Sequence, residues 1–303
     1  MFDSYPEAAA AAKAAGASPA DPLALPIGEA RLAQDRYFAH FNADLPTVAS
    51  RTDLRIEGPA GAIPIRIYRP TTAAPLPAIV FVRGAGWWAG ALDSHARTMI
   101  QLAETSGCAV CGVDYRRTPE HRFPTQRDEV LATLDWLRDA GAAHGIDGGP
   151  AVLFGESAGA TICLSAALAR RDRGAPMPAG LVLFYNNAGG LKPTARAYSQ
   201  WVWRQYLGDD RLAADPSAVP LLSDLHGLPP CWLGAGEDDP LITDTLALAQ
   251  RLDAAGVPHA LHRYAGLPHG FVMWSGTLRP ALDALGSAAR AAAAFASAAR
   301  AQP

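Results

Sequence analysis

The chain has 303 residues, half of them hydrophobic, and a formal net charge of −3 with acids and bases interspersed. This length holds one large domain or two small ones, and the apolar fraction supplies a sizeable core. There is no basic stripe to suit nucleic acid, no acidic tail, and no run of about 18 apolar residues to span a membrane.

The first residues, MFDSYPEAAAAAKAAG, lack a basic n-region and a strong apolar segment, so they make a poor signal peptide. Their alanines suit a helix or a frayed arm. IGEARLAQDRYFAHFN is a helical candidate. TDLRIEG and IPIRIYRP pattern as an antiparallel pair turning at Gly58–Gly61. PAIVFV is a continuous apolar run, the mark of a strand buried on both faces. HARTMIQLAETSG has helical spacing at Met99, Leu102 and Ala103, with Gly107 as its stop. CAVCGVDY is a second buried strand. DEVLATLDWLRDAG is a helix with Val130, Leu134 and Leu137 on one face. AVLFG, GLVLFY, PCWLGAG and PHALHRY are further strands. SAGATICLSAALARR, LALAQRLDAAG and an alanine-rich terminal segment are further helices.

Strand–helix alternation of this kind predicts an α/β protein with a mostly parallel sheet and helices on both faces. Residues 1–50 and 186–228 fall outside the alternation, the latter carrying ARAYSQWVWRQYLG. They either lie across the strand ends as a lid or are surface helices with no gating role.

There are four cysteines, Cys108, Cys111, Cys163 and Cys231. Cys108 and Cys111 form a nominal CxxC, but in a strand positions three apart face opposite sides. A thioredoxin-type motif would open a helix. Buried free thiols and a cytoplasmic compartment are therefore expected.

The sharpest chemical signal is AVLFGESAGA. Gly155-Glu156-Ser157-Ala158-Gly159 is a G-x-S-x-G that follows a strand and opens a helix, as a nucleophile elbow requires. In that tight turn a Cβ at Gly155 or Gly159 would clash, and the Ser157 hydroxyl projects above the sheet. A serine hydroxyl is a weak nucleophile that needs a base, and the base needs an orienting acid. In the α/β-hydrolase order both follow the serine. The loop after PCWLGAG carries Glu237, Asp238 and Asp239. The loop after PHALHRY carries His269 in a setting of Gly and Pro. His262 lies within a strand pattern and His259 starts it. His40, His95, His121, His144 and His226 precede the acids or sit in unrelated segments.

Acyl transfer also needs backbone N–H donors aimed at the developing oxyanion. One is the amide after the nucleophile, Ala158. The others are expected from the RGAGWWAG loop that follows PAIVFV, where small residues let the amides of Ala85 and Gly86 approach a substrate. Trp87 and Trp88 either anchor that loop or wall the pocket.

On these motifs, residues from about 52 to 275 resemble the hormone-sensitive-lipase-like group of α/β-hydrolase esterases. RGAGWWAG stands where that group has an HGGG-type loop. VDYRRTPEHRFP matches its V-D-Y-R-x-x-P-E-x-x-F-P segment, GESAG its elbow, Asp239-Pro240-Leu241 its acid motif and His269-Gly270-Phe271 its histidine motif. The resemblance selects Asp239 as the acid. It implies a helical cap, with residues 1–50 as an N-terminal cap segment, 51–303 as the catalytic domain and 186–228 contributing to the cap. It implies no metal or organic cofactor, a small ester as substrate, and often a homodimer through the last strand and helix, near residues 258–264. The expected activity is a serine carboxylesterase for short-chain or aryl esters. Amide cleavage by the same groups is one alternative. A binding protein on the same fold is the other, since the group includes a plant hormone receptor with an incomplete triad.

The family's leading His is Arg83 here and its middle Gly is Ala85. If the loop needs positive φ at position 85, alanine costs about 1 kcal/mol or more. Arg83 either pairs with Asp114 or Glu120 and braces the loop, or faces the site and favours acidic substrates. Tyr198, Trp201 and Tyr206 are further pocket candidates.

Overall fold

A computed structural model of the protein describes residues 1–193 and 195–301. Its strands are β1 (Ser50–Ile56), β2 (Ile63–Arg69), β3 (Ala78–Val82), β4 (Ala109–Val113), β5 (Val152–Glu156), β6 (Gly180–Phe184), β7 (Cys231–Gly236) and β8 (His259–Tyr264). Its helices are α1 (Tyr5–Ala14), α2 (Ile27–Phe41), α3 (Ala96–Ser106), α4 (Thr125–Ala140), α5 (Ala158–Asp172), α6 (Ala197–Leu207), α7 (Ile242–Ala254) and α8 (Arg279–Arg300). The strands form one sheet in the order β1-β2-β4-β3-β5-β6-β7-β8. β1 and β2 turn back on each other with Ile56 opposite Ile63, and β2 runs antiparallel to β4. Every pair from β4 through to β8 is parallel. The expected α/β-hydrolase fold is present.

The continuous apolar strands split their side chains between two cores, as period-two geometry demands. Val80, Val82, Leu153, Leu181 and Leu183 pack on one face with α4, α5 and α7. Ile79, Phe81, Val152, Phe154, Val182 and Phe184 pack on the other with α1, α3 and α8. Cys111 belongs to the first core and Cys108 to the second, so the nominal CxxC is divided by the sheet. All four cysteines are free and buried. Burial pushes the thiols of Cys111 and Cys231 up to about 12.

The first fifty residues do not act as one unit. Phe2 N–H donates to Thr277 O at 2.7 Å, and Arg279 N–H donates to Phe2 O at 2.9 Å. Tyr5 meets Trp274 edge-on at 5.2 Å. Ala8 and Ala12, one turn apart, give α1 a small apolar face that joins the α3–α8 core. Thus α1 belongs to the sheet side, whereas Pro19, Ala20, Gln34 and Phe38 border the cavity described below. None of the described helices is long and apolar enough to cross a membrane.

The first turn of α5 is pressed onto the end of β3. A Cβ at Gly159 would stand 2.0 Å from Val82 O and 2.6 Å from Arg83 O. Both neighbours are backbone, so no rotamer change relieves the clash. Gly159→Ala is expected to lower unfolding free energy by at least about 3 kcal/mol, at the upper end for overpacking. A urea melt with an unchanged midpoint would refute this.

Candidate active site

β5 ends at Glu156, and the chain reverses at once into α5. Ser157 takes the turn at φ 52°, ψ −120°, a backbone conformation that costs a non-glycine residue energy. A Cβ at Gly155 would meet Gly159 O at 2.6 Å and Ala160 Cα at 2.7 Å. The two glycines of the motif are thus required by contact.

Ser157 Oγ lies 2.8 Å from His269 Nε2, and His269 Nδ1 lies 2.8 Å from Asp239 Oδ2. Asp239 is buried, and its Oδ1 accepts the Leu241 N–H at 2.7 Å, which fixes the carboxylate plane. With Nδ1–H donating to Asp239, Nε2 is left to accept from the Ser157 hydroxyl. Glu237 and Asp238 are both exposed, and Glu237 pairs with Arg263 at 2.9 Å. The acid and histidine loops meet because Gly236 carries no side chain: a Cβ there would stand 1.9 Å from Leu267 O. Gly236 is a site-building residue that the sequence reading passed over. Its signal was a glycine at the end of a strand just before the acids.

Ala85, Gly86 and Trp87 have φ of 76°, 58° and 62°, three left-handed residues in succession. Among the described residues, none of the amides of Ala85, Gly86 and Ala158 donates to a backbone acceptor. Several contacts hold this costly loop. Arg31 of α2 donates to Trp88 O at 2.8 Å and Thr118 O at 2.7 Å, and grips Glu120 with two nitrogens. The hydrogen bond from Arg31 holds the Glu120 carboxyl down at about 2. Arg31 has no motif around it and was not singled out from sequence.

Arg83 does not face the cavity. It is buried, with Nη2 donating to Tyr115 O at 3.0 Å and to Asp114 Oδ1 at 3.3 Å. Its guanidinium lies 3.8 Å over the Tyr115 ring. Tyr115 returns its hydroxyl to Arg83 O at 3.0 Å. Stacking and a carbonyl acceptor beneath the loop give this cation its place, so the bracing alternative fits and the substrate-facing one does not. Glu120, the other suggested partner, is taken by Arg31.

Trp87 and Tyr206 are corrected in the same way. Their rings stack at 4.2 Å with Trp203 edge-on at 5.0 Å, forming an anchor under the loop. Trp201 stands 6.0 Å from Trp88, behind it and off the cavity surface. Trp88 and Tyr198 do line the cavity, joined by a 3.1 Å bond from Trp88 Nε1 to Tyr198 Oη. In α6, Tyr198, Ser199 and Val202 line the cavity, whereas Trp201 and Tyr206 do not.

The cavity has a volume of about 360 Å³. Ser157 and His269 stand on its floor with Gly84, Ala85 and Gly86. Phe38, Trp88, Val202, Leu241 and Met273 make its walls mainly apolar, and Gln34, Asn187 and Arg196 add polar points. Three further lining residues, His95, Glu156 and Tyr185, were not selected from sequence. In the sequence His95 precedes the acids, far from the other site residues, and the fold brings it to the cavity.

A parallel sheet with a serine elbow, a histidine and an acid at its strand ends defines the α/β-hydrolase class. Residues 79–273 match the family described as having an alpha/beta hydrolase fold. Esterase LipI of Mycobacterium tuberculosis is 34% identical, over 77% of this chain and 78% of its own. The acetyl esterase of Salmonella typhi is 30% identical, over 82% and 81%. A solved esterase of Pyrobaculum calidifontis superposes with a TM-score of 0.85 at 30% identity, covering 90% of this chain and 94% of that one. The chain belongs to the hormone-sensitive-lipase-like carboxylesterases of the α/β-hydrolase family. It is a carboxylic ester hydrolase.

The left-handed φ at Ala85 makes a direct prediction. Ala85→Gly removes the Cβ penalty but adds freedom to the unfolded chain, for a net gain of about 1 kcal/mol. Chemical denaturation should show that gain, with ester turnover kept within a few fold. A loss of stability would mean that the Ala85 methyl contributes packing larger than its strain.

Proposed function

We propose that this enzyme hydrolyses short-chain or aryl carboxylic esters through Ser157, His269 and Asp239. The observation that carries the reading is the chain of two 2.8 Å contacts from Ser157 to His269 to Asp239, opening on a cavity floored by the loop amides. Ser157 Oγ attacks the acyl carbon as His269 Nε2 takes its proton. The carbonyl π electrons move to oxygen, and the amides of Ala85, Gly86 and Ala158 stabilise the resulting oxyanion. The oxyanion collapses, the C–O bond to the alcohol breaks, and His269 returns the proton to the departing alkoxide. Water then attacks the acyl-enzyme with His269 as base, releasing the acid and restoring Ser157. Asp239 holds the tautomer and stabilises the imidazolium throughout.

Substrate size follows from the cavity. About 360 Å³ lies at the small end of the usual range for ligand pockets, roughly 300–1,000 Å³. Aromatic and aliphatic walls suit an aryl group or a short alkyl chain. The acetyl esterase among the relatives supports a short acyl group. Pro19, Ala20, Gln34 and Phe38 on one side, and Arg196, Tyr198, Ser199 and Val202 on the other, support a cap over that cavity, and the buried thiols support a cytoplasmic setting.

Hydrolysis of p-nitrophenyl esters from acetate to long chains, beside Ser157→Ala, tests this reading. Turnover should fall with acyl length and drop by 10³-fold or more in the variant, on the order expected for a lost nucleophile. Equal rates on long chains, or activity surviving in Ser157→Ala, would sink it.

The homodimer belongs to the same reading. β8 is the last strand of the sheet, paired only with β7. A free edge of this kind accepts a second copy by strand pairing. Sedimentation velocity should give a dimer for the parent and a monomer for Ala260→Glu. A monomeric parent at micromolar concentration would remove the dimer.

A further inference from the structure

Glu156 takes no part in the mechanism above, yet it directly precedes the nucleophile and is only 2% exposed. Burying a carboxylate costs several kcal/mol unless charges and donors offset it. Two groups do so. Tyr185 donates its hydroxyl to Glu156 Oε2 at 2.5 Å. His95, also buried, brings Nε2 to 3.1 Å from Oε1. That second approach is off the hydrogen-bond line, so Oε1 keeps acceptor capacity that no aligned donor uses. His95 Nδ1 is engaged by Ser94 Oγ at 2.7 Å.

The network reaches His269 through Tyr185. The tyrosine ring lies 5.0 Å from the imidazole, inclined by 60°. Tyr185 holds φ 34°, which a bulky residue adopts only when its surroundings force it. Glu156, Tyr185, His95 and His269 line one cavity. A purely structural ion pair needs neither a strained tyrosine against the base nor a place at the substrate cavity.

We propose that Glu156 is a positioning residue for ester hydrolysis: its carboxylate, held by Tyr185 and His95, orients the imidazole of His269 and stabilises the imidazolium formed during acyl transfer. The inference rests on the reading of Ser157 as nucleophile and His269 as base. The groups that face His269 are Asp239 after β7, Glu156 and Ser157 at the end of β5, and Tyr185 after β6. Those that face Glu156 are His95, from the turn before α3, Tyr185, His269 and, after β4, Tyr115. Burial, the largest influence on Glu156, opposes its ionisation. His95, Tyr185 and His269 outweigh it and hold the carboxyl below its ordinary range.

The test is the pH dependence of kcat/KM on p-nitrophenyl acetate for the intact enzyme, Glu156→Gln and His95→Gln, with Ser157→Ala alongside. Loss of a neighbouring negative charge makes His269 easier to deprotonate. Glu156→Gln should therefore move the acidic limb down by about one pH unit. It should lower kcat about tenfold and leave KM within about twofold. His95→Gln removes one of the two partners that keep this buried carboxyl ionised, so it should move the limb in the same direction. An unmoved limb in Glu156→Gln, with activity lost only in step with thermal stability, would overturn the proposal. Should that variant fail to fold, an unmoved limb in His95→Gln overturns it equally. Activity in Ser157→Ala would sink the assignment of the nucleophile. A dead Ser157→Ala with unmoved limbs would sink this inference alone.

Discussion

Two backbone contacts that exclude a Cβ set the geometry on which everything else depends. At Gly159 the start of α5 touches the carbonyls that end β3. Ser157 leaves β5 just before that contact, and the loop that carries Ala85 and Gly86 leaves β3 just after it. One steric contact thus fixes the distance between the Ser157 hydroxyl and the amides proposed to receive the oxyanion. At Gly236 the acid loop presses on Leu267 O, close to His269 in sequence. The triad is assembled from three loops, and glycine is the only residue that lets two pairs of them close. Catalysis of this kind gains from donors and bases already in place, because nothing then reorganises as the reaction proceeds.

That placement is costly at the oxyanion loop. Three consecutive left-handed residues, two of them with a Cβ, would relax if left alone. The contacts beneath and beside the loop are numerous in proportion. Arg83 and Tyr115 exchange hydrogen bonds and stack, Trp87 is fixed against Tyr206 and Trp203, and Arg31 ties down Trp88 O. An arginine at position 83 is understandable in this light. Its Nη2 alone reaches one carbonyl and one carboxylate while its flat face stacks on Tyr115.

What the sequence made legible follows from which physics is local. Strands of five or six apolar residues bounded by turns are visible in the chain, and so is a serine held between glycines after one of them. The acid cluster at 237–239, the candidate base and the candidate oxyanion loop are readable by position relative to strands, and the family resemblance picks Asp239 within the cluster. What escaped was set by tertiary geometry. No pattern around Arg31 says that it reaches across to residues 88, 118 and 120. Trp87, Trp201 and Tyr206 are aromatic residues near the site, and composition does not tell a wall from an anchor. The difference lies in the rotation of α6 and the twist of residues 85–87. The alanines of α1 announced a helix but not which surface would receive it. Glu156 stood in the variable position of the motif, where the pattern asks nothing of the residue, and its partners come from the turn before α3 and from the end of β6.

Trp88 joins these observations. Its carbonyl accepts from Arg31 of α2, and its indole donates to Tyr198 of α6. The two elements that cover the cavity are therefore fastened to the same residue, next but one to Gly86. Both helices are thus tied through Trp88 to the loop that carries the proposed oxyanion amides, whereas Ser157, His269 and Asp239 are placed by strand ends. Under the proposed mechanism a substrate seated against these helices bears on the donors through Trp88, and the selectivity of the cavity is then expressed in the chemical step as well as in binding.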